Sequence, residues 1–371
     1  MTNGQDQPQF IPGLKLTEGF FTEEVSPILL SHYPDLRYSA ALIGSGSEVL
    51  EFDTEMSIDH HWGPRVMLFL GSDDFKSIRD KIWTTLSNEL PTTYMGYSTN
   101  FSKPDPEDND VQTLQSISSG PVNHRVEIYT VDGFFAEYLN IDINKDLQTV
   151  DWLTLPHQKL RSVTSGRIFR DDLGLKKIRG RLSWYPYDVW LYVLASAWAR
   201  IGQEEHLMGR AGYVGDENGS AIIGSRLVRD IMRLAFIMAR EYPPYAKWYG
   251  TAFSRLKSAA GLGPILTNVL HATSWQERET GLCAAYQMLI EIHNSLKITD
   301  AISPEVSQFW SRPFKIIQAE RLVKAIIERI QDPQVVALTK RSLIGSIDLI
   351  SDNTDVLEDV SLRNKLKALY E

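Results

Sequence analysis

Apolar residues change their spacing part-way along the chain. In the first half, short apolar runs alternate with helical patterns. Tyr38–Ile43 is a continuous apolar run of strand length, and Arg65–Leu70 is a second. In His124–Val131, Val126, Ile128 and Thr130 alternate with Arg125, Glu127 and Tyr129, the period of a half-buried strand. Helices are predicted from a Thr17 cap to Pro34, from an Asp73 cap to about Asn88, over Gly133–Leu139 after Asp132, and over about Val150–Val163. Between Asn100 and Pro121 the chain is polar and rich in acids and proline, which predicts a mobile insertion.

From Leu182 onward only helical spacing remains. It is carried by Tyr187, Trp190, Leu194, Trp198 and Ile201, then by Ile223, Leu227, Ile231, Leu234 and Met238, then by Leu282, Ala285, Leu289, Ile292 and Leu296. Asp332-Pro333 marks one more helix start, a cap followed by proline at the first position. The expected fold is α+β: a small mixed sheet with flanking helices over residues 1–175, then a bundle of five to seven helices over 176–371.

Composition changes this picture little. With 371 residues, 43% hydrophobic and 23% charged, the chain reads as an ordinary globular protein long enough for two cores. A net charge of −9 and the lack of a Lys/Arg-rich run argue against a nucleic-acid surface. The polar start MTNGQDQPQFIPG lacks a secretion-signal core, and no apolar run is long enough to span a membrane, so a cytoplasmic location is expected. The single cysteine, Cys283, lies in an apolar helical pattern and reads as a buried thiol.

The candidate chemistry lies between the first two strands. Gly44-Ser45-Gly46-Ser47 ends the first strand, and such a loop exposes backbone N–H groups and hydroxyls that can cradle an anion. An acidic segment follows, with Glu48, Glu51, Asp53, Glu55 and Asp59, and carboxylates hold hard divalent cations. Of the adjoining His60 and His61, alternation places His61 on the Asp59 side. His61 could ligate a softer metal such as Mn²⁺, act as a base, or mark a site that has lost catalysis. Arg65 is placed to neutralise phosphate, although a salt bridge is the plainer reading. No G-x-S-x-G elbow, Walker loop or G-x-G-x-x-G is present.

Gly-Ser after a strand, a spacer, and Ser57-Ile58-Asp59-His60-His61 before the next strand resemble the nucleotidyltransferase superfamily, which includes the aminoglycoside nucleotidyltransferases and DNA polymerase beta. Over nearly its full length the chain is also similar to a bacterial family with a nucleotidyltransferase-like front half and a helical back half. Trp62-Gly63-Pro64, Gly202–Glu205 and Pro244–Trp248 are its landmarks. The resemblance implies metal-dependent transfer of a nucleoside monophosphate from a nucleoside triphosphate to a hydroxyl or other acceptor on a small molecule or protein. Asp59, Glu127 and His61 would form the catalytic and metal-binding set for Mg²⁺ or Mn²⁺. Gly44, Ser45, Gly46, Ser47 and Arg65 would hold the nucleotide, with Lys247 of the PYAKW stretch. It also implies a last strand near Gly166–Arg170. The departure is His61, where the family has its second carboxylate; it opens the alternative of a catalytically degenerate nucleotide- or partner-binding module. Asp53 and Glu55 are the substitute acid pair. Glu204 or Glu205 could supply a base from the helical half, whereas Asp216 and Glu217 read as caps.

Overall fold

The computed structural model describes residues 9–108 and 110–371 apart from His60 and the side chain of Asp59. The chain forms two compact units, one of residues 1–146 and 162–183, the other of 147–161 and 184–371. The architecture is α+β, with a small mixed sheet in the first unit and helices dominating the second.

The sheet of the first unit has four strands, β1 (Tyr38–Leu42), β2 (Arg65–Leu70), β3 (Arg125–Thr130) and β4 (Arg167–Asp171), in the order β3-β2-β1-β4. β1 runs antiparallel to β2 and β4, whereas β2 and β3 are parallel, with Met67 opposite Glu127. Every residue of β1 and β2 is buried, which explains their continuous apolar runs. Alternation sorts the side chains onto two faces. Ala40, Val66, Leu68, Val126 and Ile128 join the main core with Leu16, Phe20, Ile82 and Leu86. The opposite face carries Arg65, Met67 and Phe69 beside Arg125, Glu127 and Tyr129.

Four expectations are corrected. Asp73 is not a cap: its helix starts one residue earlier, at Ser72, with Gly71 in the cap position and no side-chain cap bond. Thr17 does not cap a helix: it is buried within Gly13–Phe20, and the chain stays helical through a π turn at Phe21–Val25 into Ser26–His32. The helix expected over Val150–Val163 is two, Thr149–Thr154 and His157–Thr164. Leu155 is extended because the ring of Pro156 disfavours a helical conformation in the residue before it. The stretch after Asn100 is tied down rather than loose. Phe101 is buried, Asn100 Nδ2 donates to the Gln115 carbonyl at 3.0 Å, and Asn123 Nδ2 donates to the Phe101 carbonyl at 2.9 Å.

In the second unit the Tyr187–Tyr213 and Glu217–Ala239 helices pack side by side, and the Trp190 indole donates to the Ile237 carbonyl at 2.8 Å. Asp216 caps the second of them by accepting from Gly219 N–H at 2.8 Å. No described helix is long and apolar enough to cross a membrane.

Candidate functional site

The Gly-Ser loop owes its shape to a buried ion pair. Arg65, at the start of β2, donates from Nε to Glu48 Oε1 at 2.8 Å and from Nη2 to the Ser45 carbonyl at 2.6 Å. Both side chains are buried. Burial pulls the guanidinium pKa down, but Glu48 and Glu127 outweigh it and the net shift is upward, so Arg65 stays charged. Gly46 sits at φ +141°, and a Cβ there would run into Arg65 Nη2 and lie 2.7 Å from Glu48 Oε2. Only glycine allows this close approach. Arg65 thus acts on the loop through a carbonyl.

The loop reaches the surface at Ser45. The backbone N–H groups of Ser45, Gly46 and Ser47 have no partner among the described residues, and Ser45 is exposed. Successive backbone N–H groups without a protein partner are the kind of donors that take up phosphate oxygens. Ser45 Oγ and the Tyr138 hydroxyl share a hydrogen bond at 3.1 Å, and Tyr138 stacks on Phe134 with centroids 5.5 Å apart. An aromatic surface therefore borders the loop.

Glu127 and His61 meet through a residue that sequence reasoning left out. Arg125 Nη2 donates to Glu127 Oε1 at 2.9 Å, and its Nη1 donates to His61 Nδ1 at 2.7 Å. Since a guanidinium only donates, Nδ1 of His61 must be the acceptor, which places the imidazole proton on Nε2. His61 itself is held at φ +54°, with its N–H on the Gln112 carbonyl at 2.8 Å. The missed signal was Arg-x-Glu in a strand: two steps apart, the charges share a face and pair.

Asp59 ends the 3-10 turn Glu55–Asp59, before β2; its side chain and His60 lie outside the described residues. Asp53 has structural work, accepting from Gly13 N–H at 2.7 Å and from the Trp62 indole at 3.0 Å. Lys247 belongs to the second unit, exposed, with Nζ 5.0 Å from the Trp248 ring, the posture of a lysine lying along aromatic surface. Glu204 pairs with Arg226, and Glu205 accepts from Ile317 N–H at 2.5 Å.

A magnesium ion seeks several oxygen ligands in near-octahedral array. The described donors do not supply them. No three His, Cys, Asp or Glu side chains converge among the described residues, and Glu127 and His61 are both engaged by a permanent cation. A second cation there would be repelled by the guanidinium.

Comparison with known proteins gives a partial frame. Residues 152–249 match the model of a domain of unknown function, DUF4037. Among solved structures the chain is similar to a nucleotidyltransferase-like protein from Exiguobacterium sibiricum, at 12% identity and a TM-score of 0.32, covering 95% of this chain and 92% of that one. A search of curated proteins finds no significant match.

Proposed function

We propose that the first unit is a nucleoside-triphosphate-binding module of nucleotidyltransferase type, in which Arg125 provides the fixed positive charge that a metal provides in a working transferase. The observation that carries this reading is the Arg125 guanidinium held between His61 Nδ1 and Glu127. It neutralises Glu127, which would otherwise repel a triphosphate. The free N–H groups of Ser45, Gly46 and Ser47 supply the phosphate contacts, and Tyr138 offers a ring beside them. The second reading is metal-dependent nucleotidyl transfer to a hydroxyl or other acceptor on a small molecule or protein. It is favoured by the place of Glu127 on the strand next to β2, within electrostatic reach of Arg65, and by the position of Asp59 just before β2.

Thermal melting with ATP, GTP, CTP and UTP, each with a chelator, Mg²⁺ or Mn²⁺, separates the two. On the first reading one nucleotide stabilises the protein in chelator, by roughly 2.7 kcal/mol at 100 times its dissociation constant. Glu127→Gln should then tighten metal-free binding and Arg125→Met should abolish it. On the second, stabilisation requires metal, pyrophosphate is released, and Glu127→Gln stops turnover. Metal-dependent turnover would overturn the first reading, and a protein indifferent to all four nucleotides would overturn both.

A further inference from the structure

The second unit contains a cluster of arginines that the nucleotide site does not use. Arg226, Arg229 and Arg233 lie on one helix, Glu217–Ala239, and Arg200 on its neighbour, Tyr187–Tyr213. Arg200 Nε donates to Asp230 Oδ2 at 3.1 Å, and Asp230 is 2% exposed. Arg229 is 3.8 Å and Arg233 3.6 Å from the same carboxylate. Arg226 pairs with Glu204, and Arg229 with Asp352.

Arg233 is the exception. Its side chain is 9% exposed, and among the described residues its Nε has no hydrogen-bond partner and its one ion pair, to Asp230, is longer than a hydrogen bond. A buried guanidinium left this short of acceptors is costly unless a ligand completes it. Two cavities meet at this point. One, of about 340 Å³, is lined by all four arginines. The other, of about 330 Å³, shares Arg229, Arg233, Asp348 and Asp352 with the first and is otherwise walled by Pro244, Tyr245 and Tyr249 among others. Two carboxylates face the shared space. Asp348 is buried and occupied by the His157 N–H, 3.1 Å from each oxygen. Asp352 has a side chain 71% exposed, so water can take it up if an anion displaces it from Arg229.

We propose that this pocket binds an organic phosphate, with the phosphate on Arg229 and Arg233 in exchange for the Asp352 carboxylate and the rest of the molecule against Pro244, Tyr245 and Tyr249. Two guanidiniums suit a phosphate dianion, and their forked donors match its oxygens. The inference is independent of the nucleotide reading of the first unit, because every group it uses lies in the second.

Isothermal titration of the full chain in chelator and low salt, with AMP, inorganic phosphate and adenosine as probes, tests it. AMP should bind more tightly than phosphate, and adenosine should not bind. Arg229→Gln should weaken AMP at least tenfold, about the worth of one charge-assisted hydrogen bond. Arg233→Met should do the same. Asp352→Asn should tighten AMP binding, and because Asp352 and Arg229 are partly exposed these variants keep the test decidable if Arg233→Met does not fold. AMP binding unchanged in Arg229→Gln and Asp352→Asn would place the ligand elsewhere and overturn the proposal. So would adenosine binding as tightly as AMP, or no binding of AMP at all. Phosphate binding as tightly as AMP would overturn the role given to the aromatic wall.

Discussion

Glu48→Ala is expected to destabilise the protein by roughly 3–5 kcal/mol, far more than an exposed ion pair would cost. The reason is what it leaves behind. Arg65 is 6% exposed, and without Glu48 its charge keeps, among the described residues, the Ser45 carbonyl alone as a close acceptor, with Glu127 near enough to act on it through space. The reciprocal change, Arg65→Met, strands Glu48, which is 4% exposed, and is expected to cost a similar amount. Replacing both together, as Glu48→Ala with Arg65→Met, removes the stranded charge and should recover most of the loss. Urea denaturation of the three variants checks this, with the double variant as the deciding measurement: a loss equal to the sum of the single losses would show that the pair is not coupled. Even a stable double variant should bind nucleotide poorly, since the Ser45 carbonyl would lose the donor that holds the loop open.

The strands were legible because burial on both faces leaves a continuous apolar run, as in Arg65–Leu70, where the expected and observed bounds coincide. The break at Leu155 was missed although Pro156 is plain in the sequence, because the apolar spacing continues across it and masks the local restriction. The stretch after Asn100 was misjudged for a different reason. Asn100 within it and Asn123 just after it bond to its backbone groups 15 and 22 residues away, and polarity alone does not distinguish a solvated loop from one stitched down by side-chain amides. At the site, Glu48 and Arg65 were both noticed, but their pairing across 17 residues is a tertiary fact. Arg229 and Arg233 were hidden by the strong apolar stripe of their helix, which accounts for the helix without them.

Glu205 should make stability depend on pH in the direction opposite to most carboxylates. Burial in the Tyr187–Tyr213 helix pushes its pKa up from 4.5 to about 7, although it accepts from Ile317 N–H at 2.5 Å and Ala319 N–H at 3.4 Å, and Glu320 adds to the rise. Tyr286 and Cys283 also lie within its electrostatic reach, and both are held neutral by burial. Between pH 4.5 and 7 the folded protein therefore holds a proton that the unfolded chain has released. Stability is full below 4.5 and is lost as pH rises through the folded pKa, by about 3 kcal/mol in total for a shift of this size. His124 and His293 work the other way: burial lowers both to about 4, so their contribution is lost as pH falls below 6.5. The whole-protein curve mixes these effects, and the difference between wild type and Glu205→Gln isolates the carboxyl. Glutamine does not titrate, and its amide leaves one of the two backbone donors without an acceptor, a constant cost of about 1–3 kcal/mol. Measured by urea unfolding, the advantage of wild type over Glu205→Gln should shrink by about 3 kcal/mol from acid to above pH 7. A difference that stays flat across that range would mean that Glu205 ionises at its ordinary pKa, and that Ile317 and Ala319 together offset its burial.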